Sequence, residues 1–370
     1  MKIEQKLLIF AVVFLTSGFV YVSSMFFLFV MIYYHFFIKR PNIKQLIRFL
    51  ILAFLIVSIN FFGQDNGYQL SELVQILVFV FLLISLNLRN FFAQKFLKSV
   101  SIGLLIGSII MGINFMIREF VFNNLTQESL IYFSISGTYN YSAYFMFFGL
   151  ILVPSLLFKN TSIKVGLLLL YAISLYILQA RSSFLLGIMS FLFLSLEIKH
   201  TARFYLLSVI FLVAINSFLD SSLVNKDNQN DIIYSITNFE NNTSNLERLQ
   251  MFLFSFEHLG KNPFGVGAGN TQIALNKTSI DHPHAHNTLA NWIFEMGYLG
   301  VLLFVLFFYT MVRCLKGKLR KIPKESLVIF LFILVTSQIS SLQYNILVTT
   351  TTYLGLILLK ILSERKIAYA

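Results

Sequence analysis

Residues 7 to 37 read LLIFAVVFLTSGFVYVSSMFFLFVMIYYHFF, 31 positions without an Asp, Glu, Lys or Arg. One membrane-spanning helix needs about 20 apolar residues, because the hydrocarbon layer is about 30 Å thick and an α-helix rises about 1.5 Å per residue. The run therefore exceeds one span. Thr16, Ser17 and Gly18 interrupt it near its middle, which predicts two short helices in a tight hairpin; the competing reading is one long tilted helix. It carries no small-residue cleavage site of the signal-peptide kind, so the stretch is expected to stay in the membrane.

Ten further apolar runs lie at about 46–62, 71–88, 99–117, 141–158, 163–179, 182–196, 202–219, 288–312, 325–340 and 344–362. With the hairpin they predict an all-α integral membrane protein of about 12 transmembrane helices. Composition agrees. Of the 370 residues 57% are apolar and 12% charged, the latter about half the share in a soluble globular chain. With 42 Phe against 18 Gly and 5 Pro, disordered and collagen-like classes are excluded. The single cysteine, Cys314, cannot close an internal disulfide, so redox chemistry is not indicated.

An even number of spans puts both termini on one side, and basic residues mark the cytoplasmic side. Alternate connections hold 22 of the 28 basic residues, including Lys39 to Arg48 and the cluster Arg313 to Lys324. The opposite side keeps Arg118, Arg181, Lys226, Arg248, Lys261 and Lys277 together with 12 of the 16 acidic residues. The net charge of +12 thus reflects orientation and contact with anionic lipid, and it is no argument for nucleic acid, for which no basic-aromatic motif is present. The expected organisation is spans one to nine over 1–219, a large outer loop over 220–287, and spans ten to twelve over 288–370. Within the loop, Ser244 to Glu247 fits a capping box. Leu246, Leu249, Phe252, Leu253, Phe256 and Leu259 then share one helical face, which predicts a short amphipathic helix on the bilayer surface, ended by Gly260, Pro263 and Gly265.

Few residues on the outer side can carry chemistry. Arg181, in Gln179-Ala-Arg-Ser-Ser183, lies between two apolar runs, where an unpaired charge costs several kcal/mol. It either snorkels to lipid headgroups or pairs bidentately with an anionic ligand at that depth. Arg248, beside Glu247, and Arg118, beside Glu119, admit both a solvated ion-pair reading and a ligand-binding one. Asp281-His-Pro-His-Ala-His-Asn287 collects three of the six histidines. His282, His284 and His286 share one face of an extended segment, which is compatible with a metal site, although Pro283 breaks the regularity. The alternatives are a general base, with His286 nearest the membrane, and three solvated loop histidines. Gly265-Val-Gly267-Ala-Gly269-Asn270 is not followed by Lys-Ser/Thr and is not a nucleotide loop. It is either an ordinary turn or a backbone able to approach a phosphate.

Taken in order, Gly137-Thr-Tyr-Asn-Tyr-Ser-Ala143, Gln179-Ala-Arg-Ser-Ser183, Glu247-Arg248 with Lys261-Asn-Pro-Phe-Gly-Val-Gly-Ala-Gly-Asn270, and His284-Ala-His-Asn-Thr288 with Gly297-Tyr-Leu-Gly300 resemble the O-antigen ligase and Wzy-type polymerase superfamily. The likeness runs from about 137 to 305; the first 130 residues share only their hydrophobic spans. It implies glycosyl transfer at the periplasmic face of a bacterial inner membrane, from a glycan carried on undecaprenyl pyrophosphate, without cofactor or metal. Arg181 and Arg248 would hold the pyrophosphate and His286 would activate the acceptor hydroxyl. Arg118, Asn140, Gly267 and Asn287 are further candidates for substrate binding, and His282 and His284 receive no role. The implied partners are the lipid-linked glycan, inner-membrane lipid and a chain-length regulator.

A Wzy-type polymerase, which extends O-antigen or capsular polysaccharide repeat units, is the leading expectation. A ligase that transfers the glycan to lipid A core is the alternative. A flippase or transporter ranks lower, because transporters place charges along midplane helices and often show two related halves.

Overall fold

The computed structural model describes residues 3–15, 20–33, 43–62, 69–86, 94–122, 139–178, 181–195, 243–276, 285, 287–315, 323–339 and 346–365. Among the described residues every regular element is helical. The opening run forms α1 (Ile3–Phe14) and α2 (Val20–Tyr33). The Phe10 and Phe26 ring centroids lie 6.0 Å apart, and those of Phe14 and Phe26 6.1 Å. On one continuous helix 16 positions would separate Phe10 from Phe26 by about 24 Å. The run is therefore folded back on itself rather than one tilted helix.

Next come α3 (Ile43–Phe62), α4 (Leu70–Leu86) and α5 (Gln94–Phe122). Within α5, Leu97–Ile117 is long and apolar enough to cross a bilayer; the other apolar helices found among the described residues run 10–17 residues. The segment expected as a ninth span, 202–219, lies outside the described residues.

Three pieces then continue as one rod: α6 (Tyr139–Met146), a π-helical stretch Phe147–Leu152, and α7 (Val153–Leu157). Pro154, which has no N–H to return to the preceding turn, stands at the end of the widened stretch. All six π-helical residues are buried, and Phe147 stacks on Phe332 with ring centroids 3.7 Å apart. Such a pair is worth about 0.5–1.5 kcal/mol beyond its buried area.

The chain continues through α8 (Thr161–Leu178), α9 (Arg181–Ser195), α10 (Thr243–Lys261), α11 (Thr271–Leu275), α12 (Thr288–Met296), α13 (Tyr298–Cys314), α14 (Lys324–Ile339) and α15 (Ile346–Arg365). Helix α15 lies at the centre, packed against α2, α4, α6, α13 and α14, with Leu354, Ile357, Leu358 and Leu359 fully buried. Lys360 is buried too, and its ammonium donates to the carbonyl of Leu86 at the C-terminal end of α4, where a cation meets unsatisfied carbonyls.

One expected span is divided. The apolar run 288–312 breaks at Gly297 into α12 and α13, and the Trp292 and Phe304 rings stand 6.3 Å apart where a straight helix would separate them by about 18 Å. Gly297 adopts φ +58° and ψ −130°, a conformation closed to side chains with a Cβ. The break matters because α12 turns away from α13 to form a second, smaller core with Met251, Val266, Ala274, Leu275, Ala285, Ala290 and Phe294, separate from the main one.

Candidate active site

The second core gathers residues from α10, the glycine loop, α11, Ala285 and α12. Helix α10 presents two faces. Met251, Ser255 and His258 are buried, His258 against Phe294 of α12 at 5.3 Å between ring centroids. Of the apolar stripe legible in the sequence, Leu249, Leu253 and Phe256 are exposed, whereas Phe252 packs against the second core. A stripe of that kind suits contact with lipid, and the buried face explains how the same helix is anchored to the protein. Gly260, expected to end α10, is followed by one more helical residue, Lys261. The stop comes at Asn262, whose side-chain nitrogen lies 3.3 Å from His258 Nδ1.

The glycine loop after it is fastened on two sides. On the α12 side, Val266 N–H donates to Phe294 O at 2.7 Å, Gly267 N–H to Glu295 O at 3.0 Å, and Tyr298 N–H to Pro263 O at 2.9 Å. On the other side, Ala268 N–H donates to Asn60 Oδ1 of α3 at 2.6 Å and Gln69, just before α4, donates from its own N–H to Ala268 O at 2.9 Å and from its side chain to Gly269 O at 3.0 Å. Gly265 and Gly269 both have φ +78° and Gly267 φ +90°. A Cβ at Gly265 would strike the backbone of Glu295, so glycine is needed there for conformation and for clearance alike. Gly267 spends its amide on Glu295, so any part it takes in substrate binding is that of a backbone bearing no side chain.

Behind the loop lies a buried polar network. Asn291 Oδ1 accepts from Ala285 N–H at 3.2 Å, and its Nδ2 donates to Glu295 Oε1 at 2.9 Å. Thr271 Oγ1 lies 3.1 Å from Asn291 Oδ1 and 3.2 Å from Glu295 Oε1, its single proton serving one acceptor at a time. Thr271, Ala285, Asn291 and Glu295 are all at most 4% exposed. Asn287 caps α12, its Oδ1 accepting from Ala290 N–H at 3.0 Å.

Of the residues expected to act, the backbone alone of four is placed. Arg181 is the first residue of α9, Arg248 sits in the second turn of α10, Arg118 near the end of α5 and Asn140 at the start of α6; their side chains lie outside the described residues. The α9 start is fixed by Tyr171 of α8, whose hydroxyl donates to the carbonyl of Ser183. His286, with His282 and His284, lies outside the described residues, but both its neighbours are described: Ala285 is held by Asn291 and Asn287 is the cap of α12. Among the described residues no group of His, Cys, Asp or Glu is arranged to hold a metal.

Five residues that build this region escape a search for cationic and histidine motifs: Asn60, Gln69, Thr271, Asn291 and Glu295. One signal was available, since Glu295 interrupts an otherwise apolar run, and an ionisable group there points to a buried partner or a function.

No curated protein matches the chain. Residues 166–305 match the family model Wzy_C, described as O-antigen ligase, a stretch that includes Arg181, Arg248, the glycine loop, the histidine segment and the α12–α13 break. Over that stretch, 140 of the 370 residues, the chain is similar to the O-antigen ligase family.

Proposed function

We propose that the chain is a polymerising glycosyltransferase, which joins lipid-linked polysaccharide repeat units at the periplasmic face of the inner membrane. The observation that supports membrane glycosyl transfer is the family match, which brackets Arg181, Arg248 and His286 and bears on polymerase and ligase alike. In the proposed reaction the acceptor hydroxyl oxygen attacks the anomeric carbon of the donor glycan. The bond from that carbon to the pyrophosphate oxygen breaks, and its electron pair leaves with undecaprenyl pyrophosphate. His286 takes the hydroxyl proton. Arg181 and Arg248 offset the charge gathering on the leaving group, the part a divalent cation plays elsewhere. Attack from the face opposite the leaving group inverts the anomeric centre.

Arg181 opens a helix, where the dipole disfavours a cation by about 0.3–1 kcal/mol. An anion bound at the first amides of α9 would offset that cost. The orientation follows from the 22 of 28 basic residues on alternate connections, which put 220–287 outside and both termini in the cytoplasm.

The ligase description of the matched family favours a second reading, transfer to lipid A core. Purified protein in nanodiscs, supplied with a lipid-linked repeat unit and a chelator, should build a ladder of longer lipid-linked glycans. A product found only on added lipid A core would replace polymerase by ligase; no new glycosidic bond from either acceptor would end the enzyme reading.

A further inference from the structure

The buried network around Asn291 has a geometry that calls for a reason. An amide, a hydroxyl and a carboxyl are buried together at the edge of a small apolar core, and burying polar groups stabilises little unless each is paired. Apolar residues of similar volume would serve packing as well or better. What the network does that apolar residues cannot is fix a backbone amide. The Ala285 N–H can only donate, so the atom facing it must be the Asn291 oxygen, which sets the orientation of the whole amide and turns its Nδ2 towards Glu295. Glu295 Oε1 thereby aligns Asn291, and Thr271 bridges the two from the start of α11.

Ala285 is fully buried, and two residues on Asn287 caps α12 through Ala290 N–H. The intervening residue is His286. Its two neighbours are each tied to the first turn of the same helix, one from the side-chain oxygen of Asn291 and one through its own.

We propose that Asn291, aligned by Glu295, is a positioning residue for the base: it holds Ala285, the residue from which the chain enters that histidine. The inference rests on the reading of His286 as that base. Asn291 itself touches no reacting atom and acts only through the segment it holds.

The experiment is a double-mutant cycle on the protein in nanodiscs, with a lipid-linked repeat unit as donor and acceptor. Asn291→Ala is expected to lower kcat about 10- to 100-fold, the effect of a displacement on the order of 1 Å, with KM little changed. In the presence of His286→Ala, which by itself costs about 10²- to 10⁴-fold, the Asn291→Ala change should cost nothing further, because a residue that acts through the base has nothing left to position. The pair Asn291→Asp with Glu295→Gln exchanges donor and acceptor: the new carboxylate still accepts from Ala285 N–H, and the glutamine amide donates to its second oxygen. That pair should recover most of the rate, and it keeps the test decisive if Asn291→Ala does not fold. A wild-type kcat for Asn291→Ala, losses that multiply in the double variant, or a folded but inactive exchange pair would each overturn the positioning role. Full activity of His286→Ala would instead remove the assignment of the base, which separates the failure of that reading from the failure of this one.

Discussion

Replacement of Gly297 by alanine tests whether the break between α12 and α13 builds the site. The residue sits at φ +58° and ψ −130°, and a Cβ there would run into the carbonyl oxygen of Pro263, the same oxygen that accepts from Tyr298 N–H. The conformation alone costs a non-glycine residue about 1–3 kcal/mol. Losing the Tyr298 bond adds about 0.5–1.5 kcal/mol. Together Gly297→Ala should destabilise this part of the molecule by about 2–4 kcal/mol. The assay is built into the chain, because its single tryptophan, Trp292, is buried on α12 with its ring 5.7 Å from Phe79 of α4. Trp292 emission followed during heating should show a lower melting midpoint and a red shift even in the cold. Gly166→Ala and Gly260→Ala are the controls: an added Cβ meets nothing within 4 Å at either position, and alanine is favoured over glycine inside a helix by about 1 kcal/mol. If Gly297→Ala melted with the wild-type midpoint and emission, or if the two controls were equally harmful, the argument from backbone strain would be wrong.

Arg181→Lys should lose nearly as much polymerisation as Arg181→Ala, since an ammonium cannot reproduce the bidentate fork; recovery of most activity by lysine would reduce the role to simple charge. His286→Ala should lower the rate by about 10²- to 10⁴-fold while membrane insertion is unchanged, and His282→Ala should be nearly silent in a complementation assay of polysaccharide output. Cysteines introduced at Asn241 and Lys318 should differ in intact cells treated with an impermeant thiol reagent, Asn241 reacting and Lys318 not, and the reverse pattern would invert the topology.

Much of the fold is legible from hydrophobic runs, because a run is a local property. The runs at 46–62, 163–179, 182–196 and 325–340 become α3, α8, α9 and α14 with ends shifted by a few residues at most. The hairpin within 7–37 is legible for the same reason, from three small or polar residues in mid-run. The run 288–312 misleads because hydropathy records how apolar a segment is and not where its backbone turns, and Gly297 looks like any glycine in an apolar helix until Pro263 is found against it. The α10 stripe misleads in a different way. Leu249, Leu253 and Phe256 are legible as an apolar face, yet of that stripe Phe252 turns to the second core and the residues most deeply buried there include Ser255 and His258, since in a membrane protein lipid and protein compete for apolar surface. Asn60 and Gln69 were not legible at all: their partners stand 208 and 200 positions away, and nothing local distinguishes them.

That long-range clasp also bears on how one domain can depend on the rest of the chain. The family match begins at residue 166, yet the glycine loop is held from one side by α12, inside the matched stretch, and from the other by Asn60 and Gln69, outside it. Were 288–314 a single straight helix, its first turn would stand about 25 Å from Leu303 and Phe307. The fold-back at Gly297 instead lays α12 along the loop, so that Val266 and Gly267 pair with Phe294 and Glu295 while Ala268 reaches α3. A displacement of α3 or α4 would therefore reach the loop through Ala268, pass through Glu295 to Asn291, and arrive at Ala285 beside the candidate base. The early helices would thus have a mechanical part in the proposed site, whose candidate residues lie far downstream of them.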